Sequence, residues 1–140
     1  MIGEIRNYIK EMILEVDPDF KENPSAFYDS DIGEPILDSS YQISINSLTK
    51  DFRTDYTERT MAVVVSIFGL GYRSEIENYD LLLDKAICIE DKILDLQNFH
   101  NIETISNIIS NGIEASKLPS NDDGFKIDIN LTLTQAYTRE

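Results

Sequence analysis

The first segment of the chain has the periodicity of an amphipathic helix. The apolar residues that recur every three to four positions are Ile2, Ile5, Ile9, Met12, Ile13 and Val16. Most charged residues of the segment lie off this stripe, as in a helix that packs one narrow face against a sheet. The pair Asp17-Pro18 marks the end of the helix.

Two segments in the middle of the chain alternate apolar and polar residues and are predicted as strands. The alternating apolar positions are Tyr41, Ile43 and Ile45 in the first segment and Met61, Val63, Val65 and Ile67 in the second. Ala62, Val64 and Phe68 make the other face of the second strand apolar too, so we expect this strand to be central and covered on both faces. The polar stretch KDFRTDYTER, residues 50–59, is then the long arm of a hairpin.

A second helix is predicted after the glycines Gly69 and Gly71. Ser74 is followed three residues later by Glu77, the spacing of a capping box, which predicts Ser74 as the N-cap. The apolar stripe then runs to about Leu96 and contains Ile76, Tyr79, Leu82, Leu83, Ala86, Ile87, Ile93 and Leu94. Glu90 interrupts the stripe, and Ile89 substitutes for it in part. Cys88, the single cysteine, lies in this apolar context and is expected in the core.

The last forty residues contain one ambiguous segment and one regular strand. Isoleucines in residues 102–117 have helical spacing, but the density of β-branched residues and Gly112 favour a strand over about 104–117. The turn Ser120–Gly124 pairs it with the alternating segment 125–137. We expect the apolar face, Phe125 to Leu133, to pack under the helices and the polar face, Lys126 to Thr134, to remain open.

These elements predict an α+β fold, with a mainly antiparallel sheet built from two hairpins and flanked by two helices mostly on one face. The length of 140 residues fits a single domain, 1–140, with one hydrophobic core. Two long polar arms are expected at about 17–40, where Pro18, Pro24 and Pro35 occur, and at about 50–60.

The charge of the chain excludes one class of partner. It has 26 acidic and 12 basic residues and a net charge of −14. Nucleic-acid phosphates require clustered Lys and Arg, which the sequence lacks, so no direct nucleic-acid binding is expected. Acidic surfaces instead suit basic proteins, or simply keep a protein soluble. A signal peptide and a membrane span are not expected either, because the first residues lack a basic n-region and no apolar run reaches about 18 residues.

None of the candidate motifs for a cofactor, metal or catalytic site is supported by its residues. FGLGYRS, residues 68–74, follows a strand and opens a helix as a dinucleotide fingerprint does, but its third glycine position is Ser74. Residues 29–34, DSDIGE, lack the ligands of a calcium loop, since the twelfth position of the loop is Ser40. NDDG, residues 121–124, is explained as a turn. His100 is the only histidine, and no serine lies in a glycine elbow. We therefore expect no enzymatic activity, no cofactor and no metal.

Three segments resemble the tail terminator, or tail completion, proteins of long-tailed bacteriophages, the lambda type in particular. They are the opening helix IRNYIKEMI, the helix EIENYDLLLDKAICIEDKIL with the following SNIISNGIEASKL, and the acidic turn SNDDG with the final strand FKIDINLTLTQAY. The resemblance covers most of the chain and is closest over residues 76–138.

The resemblance implies a structural virion protein. In that family, subunits form a hexameric ring that caps the tail tube, stops its polymerisation and provides the surface to which the head docks. The implied partners are further copies of the chain, the tail tube protein and a head connector or neck protein. The implied location is the tail–head junction of the virion, after assembly in the host cytoplasm. Neck or head–tail joining proteins have similar subunits and remain an alternative, as does a small acidic binding or inhibitor protein acting on a basic host partner.

The arm between the two central strands is the candidate interaction site. It combines both charge signs with aromatic residues, as subunit interfaces do, although a solvated hairpin tip is an equal alternative. The candidate residues for subunit or tube contact are Lys50, Phe52, Arg53, Asp55, Tyr56, Glu58 and Arg59.

Overall fold

The computed structural model describes residues 2–22, 38–52, 56–100, 102, 105–118 and 123–138. Within these ranges the chain forms three helices and five strands. The helices are α1 (Ile2–Val16), α2 (Ile76–Leu94) and α3 (Leu96–Phe99). The strands are β1 (Lys21–Glu22), β2 (Ser40–Phe52), β3 (Tyr56–Leu70), β4 (Ile105–Lys117) and β5 (Gly124–Thr138). Helices and a mostly antiparallel sheet together make the α+β class that the sequence predicts.

The described strands form one sheet in the order β1-β2-β3-β5-β4. Every neighbouring pair is antiparallel except β1 and β2, which are parallel. The segment around Met61 is therefore the central one of the described strands, as predicted, but its predicted cover on both faces is only partial, since Ala62 and Val64 are half-buried. Residues 105–117 form a strand paired with β5, which resolves the ambiguity of that segment in favour of the strand.

The core lies on one face of the sheet, here called the core face. β3 and β5 place alternate side chains there, and these are fully buried: Met61, Val63, Val65, Ile67, Phe125, Ile127, Ile129, Leu131 and Leu133. They form one apolar cluster with buried residues of both long helices, including Ile5 and Ile9 of α1 and Leu82 and Ile89 of α2. The predicted apolar face of the last strand is thus confirmed.

The opposite face of the sheet, the outer face, is covered in part. Phe68 is buried there with Leu118 and the half-buried Leu70. Further along, the outer face bears Ser66, whose hydroxyl donates to Asp128 (Oγ to Oδ1, 2.7 Å), and Lys126, which pairs with the same carboxylate (Nζ to Oδ2, 3.2 Å). Asp128 of β5 therefore binds Lys126 within its own strand and Ser66 of the neighbouring β3.

The start and the exposed side of α2 differ from the sequence prediction. The N-cap is Glu75, whose side chain makes no capping hydrogen bond, so the capping box at Ser74 is wrong. The buried stripe runs through Leu82, Ala86, Ile89 and Ile93. Cys88 and Ile87 lie on the other side of the helix and are exposed, which corrects the expectation that Cys88 is in the core. At 100° per residue, Cys88 points away from Leu82 and Ala86.

Candidate interaction site at the tip of β2 and β3

The proposed arm is largely strand. β2 continues to Phe52 and β3 begins at Tyr56, with Lys50 opposite Arg59 and Phe52 opposite Thr57. Arg53 and Asp55, two of the predicted site residues, lie outside the described residues. The remaining five are carried by the paired ends of β2 and β3, so the sheet itself positions them.

A β-bulge decides which face of the sheet the β2 residues occupy. The register with β3 shifts between Ile45 and Ser47. Before the shift, Ile43 and Ile45 point to the core face, and after it the even-numbered Leu48, Lys50 and Phe52 do so, because one extra residue inverts the alternation. The bulge therefore places apolar Leu48 and Phe52 on the same face as the core, beyond the region that the helices bury.

The register also separates the predicted site residues by charge. Residues directly opposite each other in a sheet share a face. Lys50 and Phe52 lie with Arg59 on the core face, whereas Tyr56 and Glu58 lie on the outer face. The structure therefore brings the two basic residues together on one side of the tip and does not place both aromatic residues in a single patch.

Among the predicted site residues that the structure describes, only Arg59 is buried. It is 6% exposed, and its guanidinium donates through Nε and Nη2 to the side-chain carbonyl oxygen of Gln135, with Nε 3.0 Å from Oε1. Gln135 is fully buried and directly opposite Arg59 on β5. A buried amide needs such a partner, so Arg59 joins β3 to β5 within the subunit.

The tip carries exposed apolar side chains. Phe52 is 66% exposed, Tyr56 39% and Leu48 38%. Leu48 was missed at the sequence level, because the bulge that turns it toward the core face leaves no clear sign in the sequence. Leu48 and Phe52 lie on the core face and Tyr56 on the outer face, so exposed apolar side chains occur on both faces at this end of the sheet.

The glycine-containing turn at residues 69–74 binds the side chain and backbone of Asp123. The Asp123 Oδ1 atom accepts from the backbone N–H of Arg73 (2.9 Å) and Ser74 (3.0 Å), and Oδ2 accepts from the Ser74 hydroxyl (2.7 Å). The Asp123 carbonyl accepts from the N–H of Gly71 and Tyr72. Gly71 has a φ of +114°, which glycine adopts readily. Donors that a dinucleotide phosphate would use are thus engaged internally.

These hydrogen bonds also govern the charge of Asp123. Three hydrogen bonds hold the pKa of Asp123 below its ordinary value. The bond from the Ser74 hydroxyl lowers the pKa most, followed by the bonds from the backbone N–H groups of Ser74 and Arg73. Donors aimed at a carboxylate favour the ionised form. Asp123 therefore links the segment before β5 to the turn before α2 as a charged acceptor.

Replacing Asp123 with asparagine is expected to lower Tm at neutral pH, because the amide keeps the size but not the charge of the acceptor. The folded-state pKa lies below the ordinary 3.8. The stabilisation is thus complete above that value and is lost as the pH falls through the lower, folded-state pKa. The Tm difference between wild type and D123N should therefore shrink below about pH 4, as measured by circular dichroism. D91N, on the exposed side of α2, is the control. If the Tm difference between wild type and D123N did not change with pH, the charge of Asp123 would not contribute to its binding at the turn.

The remaining candidate chemical groups are placed as follows. His100 caps α3 and is exposed, with Nδ1 3.0 Å from the Leu96 carbonyl oxygen. Residues 29–34 and 121–122 lie outside the described residues. Within the described ranges, no group of three or more His, Cys, Asp or Glu side chains could hold a metal ion. None of the helices in those ranges is long and apolar enough to cross a membrane.

Comparison with known proteins gives no relative: no protein-family model and no curated protein matches the chain.

Proposed function

We propose that the chain is a structural virion protein that forms a ring, hexameric as in the tail terminators it resembles, on the end of a phage tail tube. The ring ends tail polymerisation and provides the docking surface for the head. The observation that carries the proposal is the tip of β2 and β3, where Leu48 and Phe52 are exposed on the core face and Tyr56 is exposed on the outer face of the same strand pair. The chain acts without catalysis, cofactor or metal in this function.

We infer that the subunit is built from two hairpins, β2–β3 and β4–β5, with α1 and α2 on the core face. The antiparallel registers of both pairs and the single apolar cluster support this arrangement. In a cyclic ring, each subunit contacts its neighbour through two different patches. The tip of β2 and β3, at one end of the sheet, is suited to be one of these patches.

The proposed partners are neighbouring copies of the chain, the tail tube protein and a head connector or neck protein. The proposed location is the tail–head junction, reached after assembly in the host cytoplasm. Direct binding to nucleic acid is not part of the function, because the net charge of −14 repels phosphates.

Replacing Phe52 and Tyr56 together with serine is expected to abolish assembly without unfolding the subunit. Phe52 is 66% and Tyr56 39% exposed, so neither belongs to the buried core of the monomer, whereas truncating an aromatic hot-spot residue weakens binding by about 2 kcal/mol or more. Light scattering with and without purified tail tubes measures assembly, and circular dichroism measures folding.

The matched control replaces Ile2 and Ile109 with serine, since these are exposed apolar residues away from the tip. The control is expected to assemble as the wild type does. If the control and the tip variant assembled equally well, the tip would not be the contact surface.

The function itself is tested in a phage that lacks the gene. We expect tails of uncontrolled length that do not join heads, and restoration of normal tails by the gene supplied in trans. Tails of normal length that still fail to join heads would instead indicate a head–tail joining protein. Normal tails joined to heads would contradict both functions.

A further inference from the structure

The exposed side of α2 has an unusual composition. Its exposed residues lie within an arc of about 140° at 3.6 residues per turn. They are four acids and four residues with apolar or thiol side chains: Ile76, Glu77, Asp80, Leu81, Asp84, Ile87, Cys88 and Asp91. Ile76, Leu81 and Ile87 are 54%, 50% and 43% exposed. We call this surface the α2 arc.

The two lysines of α2 border the arc, Lys92 about 20° and Lys85 about 40° beyond its edge at Leu81. Lys85 pairs with Asp17 (Nζ to Oδ2, 2.6 Å) and Lys92 with Glu15 (Nζ to Oε2, 3.3 Å), so both lysines bind acids at the C-terminal end of α1 or just beyond it. A solvated helix face usually carries both charge signs and polar amides. The α2 arc instead combines carboxylates with large apolar groups and contains no cation, and the two lysines that border it pair with Asp17 and Glu15.

We propose that the α2 arc binds a basic amphipathic segment of another protein. Lysine or arginine side chains of such a segment would pair with Asp80, Asp84 and Asp91, while its apolar residues would cover Leu81 and Ile87. Complementary charge selects the partner and speeds the encounter, and the apolar contacts hold it. The same carboxylates repel nucleic acids and anionic membranes.

A second copy of the chain is a poor occupant of this surface. The sequence has 12 basic against 26 acidic residues. Among the described lysines, Lys10, Lys85, Lys92 and Lys126 already lie in ion pairs within the subunit. A copy as a whole is therefore strongly acidic, and its net charge opposes binding to the arc. The proposed partner is a different and basic protein, and this inference goes beyond ring formation and does not depend on it.

Cys88 supplies a direct probe of occupancy, because it is the single cysteine and lies on the α2 arc. The probe ligand is a synthetic helical peptide of leucine and lysine, with leucine at positions i, i+3, i+4 and i+7. We expect this peptide to slow alkylation of Cys88 by N-ethylmaleimide, and to do so less as salt is added. A peptide of the same composition in scrambled order, which has no apolar face, should protect Cys88 much less.

Charge variants test the location of binding. The arc variant D80N/D84N/D91N is expected to bind the peptide about tenfold more weakly, the combined effect of three exposed charge pairs. The control variant E4Q/E11Q/E114Q changes the net charge by the same amount at exposed positions elsewhere and is expected to bind nearly as the wild type does. L81Q/I87Q should weaken binding while leaving the salt dependence unchanged.

Three results would overturn the proposal. The first is no protection of Cys88 by the peptide. The second is equal weakening in the arc variant and the control variant, which would show that net charge rather than the arc attracts the peptide. The third is loss of self-assembly in the arc variant, which would make the arc an interface between copies. Failure of ring formation, in contrast, leaves the peptide assay intact, so the two proposals are tested separately.

Discussion

Replacing Ile129 with aspartate is expected to leave the chain without a stable folded state at ambient temperature. Ile129 is fully buried in β5, within the cluster formed by the sheet and both long helices. The substitution removes a branched apolar side chain, which costs about 2–5 kcal/mol as a cavity, and adds a carboxylate that must be desolvated without a partner. The combined cost is comparable to the whole stability of a domain of this size, about 5–15 kcal/mol. Circular dichroism and urea denaturation measure the loss.

The matched control introduces the same residue one position further along the strand. Asn130 lies on the outer face and is half-buried, with its side-chain amide 3.4 Å from the Gly112 carbonyl oxygen. N130D is expected to fold with a stability loss of about 1 kcal/mol or less. If the two variants were equally stable, the assignment of core and outer faces to β5 would be wrong.

The face of β5 could be predicted from the sequence because every second residue from Phe125 to Leu133 is apolar and no bulge interrupts the register with β3. Strict alternation identifies a half-buried strand whatever packs against it. α1 was predictable for the same reason, since Ile5, Ile9 and Ile13 recur at helical spacing and are fully buried.

The structure of β4 explains why the spacing of its isoleucines fitted both a helix and a strand. Ile105 and Ile108 are both buried, three residues apart as in a helix. The register with β5 shifts between Ile105 and Asn107, and again between Ser110 and Gly112. Each bulge adds one residue, so side chains three apart reach the same face. Two bulges therefore give β4 a spacing of apolar residues that resembles that of a helix. Ser110, on the core face, donates a hydrogen bond to Glu90 of α2 (Oγ to Oε2, 2.6 Å). This contact explains why an acidic residue interrupts the apolar stripe of α2.

The candidate site was predictable only in part. Polar composition and aromatic residues located the tip, but the bulge in β2 and the burial of Arg59 depend on strand pairing, which residues 50–59 alone do not specify. The start of α2 was missed because the acceptor for the turn, Asp123, is 49 residues from Ser74 in the sequence. Local capping rules cannot find such a partner.

Gly69 is the second position at which a small substitution should have a large effect. It lies opposite Phe125, and a Cβ atom at Gly69 would be 2.5 Å from Phe125 Cζ and closer still to Leu82 Cδ1. Phe125 cannot easily retreat, because Tyr79 packs edge-on against its ring with centroids 5.0 Å apart. The absence of a side chain at Gly69 therefore lets α2 and the Phe125 ring approach β3.

Gly69→Ala is expected to destabilise the chain by about 1–3 kcal/mol, because overpacking moves buried side chains out of their preferred rotamers. The control is Gly3→Ala in α1, where the new Cβ has no neighbour within 4 Å beyond its own helix backbone and adjacent residues, and alanine favours the helix. We expect G3A to be neutral or slightly stabilising. Urea denaturation of both variants measures the difference, and equal stabilities would contradict the close contact at Gly69.

A double-mutant cycle identifies the group that resists the new methyl. Leu82→Ala alone should cost about 2–5 kcal/mol, since Leu82 is fully buried and its removal leaves a cavity. In the double variant G69A/L82A the alanine methyl at position 69 enters part of that cavity, so the two losses should not add. A favourable coupling of about 0.5–3 kcal/mol is the expected result. Additive losses would show instead that Phe125, and not Leu82, limits the space at Gly69.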